Sequence, residues 1–255
     1  AQPMHKMVRS PLRAIFSSPQ FLFHAGQPGP LDDHALASRL SYFLWKTLPD
    51  DELTRLAKEK KLTQPKVLTA QVERMLDDPR SNRFINDFLD GWLHLSDIDA
   101  TTPDPTLYPE YDNELRQAML AETRLFLREL LAKNLPARNF IKSNFTFLNR
   151  RLARHYGIGK IPGEEMRRVK LPANSPRGGL MTQASILKVT ANGTLTSPVK
   201  RGHWVLASLL GTPPQPPPPV DAIEPDIRGA VTIRETLAKH REVKSCANCH
   251  QHIDP

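Results

Sequence analysis

Cys246-Ala-Asn-Cys249-His250 is the stretch of this chain whose residue types and spacing point most directly to chemistry. C-x-x-C-H is the attachment pattern of c-type haem: two thiols add to the porphyrin vinyl groups, and the imidazole that follows ligates iron. Positions i, i+3 and i+4 share one face of a helix. Cys246, Cys249 and His250 can therefore present two sulfurs and one ring nitrogen to a single planar ligand. The chain has two cysteines, and both lie here. Chance would place this pattern on the order of a few times in ten thousand. Two other chemistries use the same residues. A bare redox C-x-x-C needs a βαβ context, which the preceding sequence does not offer. Zinc could draw on Cys246, Cys249, His250 and His252, but four ligands within seven residues strain a tetrahedron. The favoured reading is haem c, with Cys246 and Cys249 as its covalent thioethers and His250 as the axial iron ligand.

Other constellations are weaker. Ser185-Ile-Leu-Lys188 and Ser197-Pro-Val-Lys200 fit S-x-x-K, but no K-T-G or S-D-N element accompanies them. Ser197 reads better as a helix cap. No phosphate-binding glycine loop and no H-E-x-x-H is present. Asp97, Asp99 and Asp104 lack the glycine and terminal Glu of a calcium loop and read as turn formers. His94 and His203, beside Trp92 and Trp204, read as structural histidines on helices.

The elements that must position the motif are helical. The fold class expected is mainly α: a multi-helix bundle, a smaller helical part, a polyproline tether and a haem-attachment end. Residues 1–30, rich in Pro, Ser and Gly, read as an irregular lead-in whose Ile15-Phe16 and Phe21-Leu22-Phe23 pack on the body. A helical bundle is expected over 31–157. Asp32 caps its first helix, Pro49-Asp50 starts a second, Thr63 with Pro65 a third, and Asp78-Pro79 a fourth. The longest helix runs from about Tyr111 to Asn134. Its apolar stripe is drawn through Leu115, Met119, Leu120, Thr123, Phe126, Leu127, Leu130 and Leu131. Asn149 caps a short helix ending at Gly157. Met166–Leu171 could form a short strand.

A smaller helical sub-domain is expected over 158–212. It holds helices over Leu180–Val189 and from Ser197-Pro198 to Gly211. The prolines of 213–229 lack backbone donors and read as a stiff spacer. The haem-binding segment begins at 230, where Thr232-Ile-Arg-Glu235 is a capping-box pattern leading into the cysteines. On this reading the motif is displayed past a tether from the helical body.

Composition bounds the rest. At 255 residues, 24% charged and 39% hydrophobic, the chain is an ordinary globular polypeptide of one or two domains. Its formal charge of +8 could steer it toward acidic partners without implying nucleic acid. No apolar run is long enough to span a bilayer.

Three stretches together resemble a known family. They are Leu31 through Trp45, Gly178-Gly-Leu-Met-Thr-Gln-Ala through Thr196-Ser-Pro-Val-Lys-Arg-Gly-His-Trp204 to Leu209-Leu-Gly-Thr-Pro213, and Cys246-x-x-Cys-His-x-x-Ile-Asp-Pro255. This is similar to the planctomycete family of large secreted cytochrome-like proteins built from the neighbouring domains of unknown function 1592 and 1588. The resemblance implies a mostly helical, exported, multi-domain protein with haem c. Cys246, Cys249 and His250 are the functional residues that carry over. It also implies a longer polypeptide, with a distal ligand beyond Pro255 or among the six methionines. The expected function is periplasmic electron transfer to a redox partner or a larger assembly. The alternatives are a haem-dependent oxidoreductase acting on peroxide or oxygen, and a scaffold module holding zinc or free thiols.

Overall fold

The structure, a computed structural model, describes residues 4–23, 29–215, 231–242 and 244–254. It is mainly α-helical and falls into two compact units, residues 1–86 and 87–255.

The first unit begins with helix, not with an irregular lead-in. Helix α1 spans Met4–Phe16 with Pro11 inside it, and α2 spans Pro19–Leu22. Pro19 sits at the first helical position, where its missing N–H is not needed, and the Ser18 hydroxyl accepts from Phe21 N. The expected packing of this segment is also corrected. Ile15, Phe16, Phe21, Leu22 and Phe23 are all more than half exposed, and Phe16 meets Phe21 edge-on at 5.1 Å.

Helices α3 (Asp33–Leu44), α4 (Asp51–Lys58) and α5 (Pro65–Asp77) follow. Asp32 and Asp50 cap the first two by accepting from Ala35 N and Leu53 N. Thr63 does not cap the third. Its N–H and hydroxyl bond the Asp33 carboxylate instead, which ties the α5 approach to the start of α3. The core closes on Trp45, which is fully buried among Leu53, Leu62 and Met75 and donates its indole N–H to Met75 O at 2.9 Å. Arg80 lies over its ring at 3.5 Å.

Helix α6 (Asn82–Trp92) contains the division between the units. In the second unit α7 (Asn113–Ala132) is the 20-residue spine, capped by Asp112. Leu115, Met119, Leu120, Thr123, Phe126, Leu127 and Leu130 are buried on it, as the stripe predicts. Leu131 is instead exposed, and Glu122 takes a buried place. Residues 115, 119, 122 and 126 follow i, i+4, i+7 and i+11, one face of a helix, so geometry buries the carboxyl.

The strand expected near 166–171 is present. β1 (Phe145–Leu148) pairs antiparallel with β2 (Arg167–Lys170), Phe145 opposite Lys170, and α8 (Arg150–Tyr156) lies between them in sequence. The composition shift at 157–179 thus falls inside the second unit, because this pairing joins its two sides. Gly178 and Gly179 pass against the Ser143, Phe140 and Ile141 carbonyls at φ of +146° and +84°, where no side chain fits. They deliver the chain into α9 (Ala184–Val189).

Helix α10 (Pro198–Trp204) runs into a π-helical turn over Val205–Leu209. Two indoles anchor this segment. Trp204 donates to Leu93 O at 3.2 Å, and Trp92 donates to Ser208 O at 2.6 Å. The expected tether lies mostly outside the described residues. Beyond it α11 (Ile233–Arg241) and α12 (Lys244–Ile253) form the end of the chain. That end is not held away from the body. Gly202 of α10 approaches the Ile253 carbonyl too closely for any side chain to intervene.

Candidate functional site

The site is built on α11 and α12. The capping box forms: Thr232 Oγ1 accepts from Glu235 N at 3.2 Å, and the Glu235 carboxylate accepts from Thr232 N at 2.9 Å. Lys239, His240 and Arg241 fill the last turn of α11, favourable at the negative end of its dipole.

On α12, successive residues turn by about 100°. Cys249 and His250 therefore lie about 60° and about 40° to either side of Cys246, and all three share a sector of about 100°. Both cysteines are free thiols and partly buried. This is the face the spacing predicts. His252 lies about 160° round the helix from His250 and is exposed. Among the described residues, no three His, Cys, Asp or Glu side chains converge on a metal position. The zinc grouping of Cys246, Cys249, His250 and His252 is not brought together. Nor is the motif set in a βαβ unit; it follows a helix.

His250 is held from two sides. Its Nδ1 lies 2.7 Å from Asp254 Oδ1, and its ring meets His240 edge-on with centroids 4.8 Å apart. The Asp254 side chain is 4% exposed. Arg241 fixes it from the backbone by donating to Asp254 O at 2.6 Å. A carboxylate can only accept, so the contact places the proton of a neutral His250 on Nδ1 and leaves the Nε2 lone pair for a metal. A carboxylate behind a ligating imidazole is the usual arrangement that orients the ring and raises its basicity. Among the described residues, Asp254 Oδ2 is buried with no hydrogen-bond partner. The donor set fits a haem c: two thiols and an oriented imidazole on one face, backed by a buried carboxylate.

The remaining sequence candidates resolve into structural roles. Ser185 is buried with its Oγ 2.6 Å from Thr123 Oγ1. The ammonium of Lys188 bonds Ile98 O and both Thr101 oxygens, so the S-x-x-K pair makes no nucleophile. Ser197 caps α10 by accepting from Lys200 N. Asp104 forms a turn with Thr106 N and Leu107 N, and Asp99 pairs with Arg116. His203 is exposed on α10, whereas His94 lies just past α6 at φ 58°, off any helix.

Sequence reasoning missed two groups. Asp254 was visible only as part of Ile-Asp-Pro, although it stands four residues after His250, one helical turn away. The second is a buried polar knot. Glu122 accepts from Thr146 Oγ1 and from the Tyr156 hydroxyl, each at 2.5 Å, and Ala184 N donates to that hydroxyl at 2.6 Å. Burial pushes the Glu122 carboxyl up to about 7. It also drives the Tyr156 phenol well above its ordinary range, an effect the neighbouring carboxylate reinforces.

Comparison with known proteins divides the chain elsewhere, between residues 158 and 177, inside the second unit. Residues 31–158, half of the chain, match the family described as Protein of unknown function (DUF1592). Residues 177–255 match a second family, named PSCyt3 and described as Protein of unknown function (DUF1588). No curated protein and no solved structure matches the chain.

Proposed function

Because this chain belongs to the DUF1592 family and closes on a DUF1588 segment, we propose that it is an exported, c-type cytochrome-like electron-transfer protein. The observation that supports the reading is the placement of Cys246, Cys249 and His250 on one helix, α12, with His250 Nδ1 engaged by Asp254. When bound, haem supplies a one-electron ferrous–ferric couple. The chain's own residues do the rest. Cys246 and Cys249 fix the group covalently. His250 ligates through Nε2, and Asp254 holds the ring and enriches its electron density from behind. Contact of α12 with α10 gives the site a fixed seat on the second unit.

Export follows from the chemistry, since thioether attachment is carried out beyond the cytoplasmic membrane. No described helix is long and apolar enough to cross a membrane. The excess of eight positive charges favours a redox partner with an acidic docking face.

The test is Cys249→Ala, expressed in a host that matures c-type cytochromes. One thioether at most can form, and most of the haem stain on a denaturing gel should disappear. Undiminished retention would count against the assignment.

A further inference from the structure

A cavity of about 350 Å³ opens in the second unit between α7, α8, α9 and the chain around residues 191–201. That is enough for a small molecule. Its floor is apolar, made by buried Leu115 and Met119 together with Leu187, and its walls include Tyr111 and Tyr156. Three cations also line it, Arg177, Lys188 and Arg201, against one carboxylate, Glu110.

The hydrogen bonds that fix these cations go to neutral acceptors. Arg177 donates to Thr182 O at 2.9 Å and lies 3.7 Å over the Tyr156 ring. Arg201 donates to Thr190 Oγ1 at 3.4 Å and Thr196 Oγ1 at 2.9 Å. Lys188 is held by Ile98 O and Thr101, at 2.5–3.0 Å. Among the described residues no carboxylate lies within ion-pairing distance of any of the three. Burial disfavours the charge of Arg201, and of Lys188, which Asp99 only partly offsets. Lys188 is buried and Arg177 and Arg201 are half-buried, and cations withdrawn from water are ordinarily paired, because an unpaired charge in low dielectric is expensive. Here Asp99 and Glu122 act on Lys188 and Arg177 only from beyond ion-pair distance, and the space for a closer anion is built in.

We propose that this cavity binds a small organic anion, its carboxylate head on the arginines and a flat apolar body on the Leu115–Met119–Leu187 floor. The planar guanidinium fork matches a carboxylate, and the tyrosine faces match a flat ring. A ligand here would also lie against the outer side of Tyr156, whose hydroxyl reaches Glu122 within.

The experiment is calorimetric titration of the full chain with benzoate as probe, and with inorganic phosphate and benzyl alcohol as head-only and body-only controls. Benzoate should bind saturably at one site, at least about tenfold tighter than either control, since both parts are read. Arg201→Gln should weaken benzoate about tenfold or more. Leu187→Trp, which fills the cavity and leaves every charge, should abolish binding while far-ultraviolet circular dichroism stays unchanged. Absence of saturable benzoate binding overturns the proposal. So does binding matched by benzyl alcohol or phosphate, or binding undiminished in Leu187→Trp.

Discussion

Raising the pH from about 5 to about 8 should weaken the fold around Glu122 by about 3 kcal/mol, and Glu122→Gln should remove that dependence. Glu122 is 1% exposed, and its carboxyl is pushed up to about 7 from an ordinary 4.5 by burial, against the pull of its bonds from Thr146 and Tyr156. An unfolded chain releases this proton near 4.5. The folded chain keeps it until about 7. The stabilising contribution is therefore whole below the unfolded value, is lost as pH rises between the two, and is gone above about 7. The gap between those values corresponds to about 3 kcal/mol. Other carboxylates act in the opposite sense. Asp78, held down at about 2 by its bonds from Arg80, does so only below this window, but burial lowers His155 from its ordinary 6.5 and sets it against Glu122 inside the window, so the comparison must be between the two proteins and not within one. Native-state hydrogen exchange of the α7 amides reads the local free energy directly. Wild type should lose protection from about pH 5 to about 8, and Glu122→Gln should lose much less. Parallel profiles would mean that Glu122 is ionised in the fold.

Gly202→Val should dislodge α12. A Cβ at 202 would overlap the Ile253 carbonyl, which is backbone and cannot rotate away. Overpacking of this kind costs about 1–3 kcal/mol, and more where backbone must move. The loss falls on α12 and not on α10, which Trp204 and the Ser197 cap hold independently. Hydrogen exchange should rise sharply over Lys244–Ile253 and stay near wild type over the anchored Trp204 turn. Unchanged exchange in α12 would show that the motif-bearing helix does not rest on Gly202.

What could be read from the residues was local. Asp32, Asp50, Asp112 and Asn149 cap helices through bonds three residues away, so the starts of α3, α4, α7 and α8 are written in adjacent sequence. The α12 face is legible for the same reason, since its three donors fall within five residues. Long-range features were not legible. Pro11 and Pro19 suggested a break in a segment that is nonetheless helical. The burial of Glu122 depends on Thr146 and Tyr156, 24 and 34 positions away. The cavity needs side chains from residues 103 to 201, and no short window shows that its arginines lack acids. Thr63 resembled a cap until Asp33, 30 residues earlier, took its hydroxyl.

The intact mass of the chain, matured in a host that attaches haem and shown to do so on a control cytochrome, tests the central claim most directly. The α12 geometry predicts the polypeptide plus one haem, retained through denaturation and lost when Cys246 and Cys249 are both replaced by alanine. A colourless product at the bare polypeptide mass from that host would contradict it.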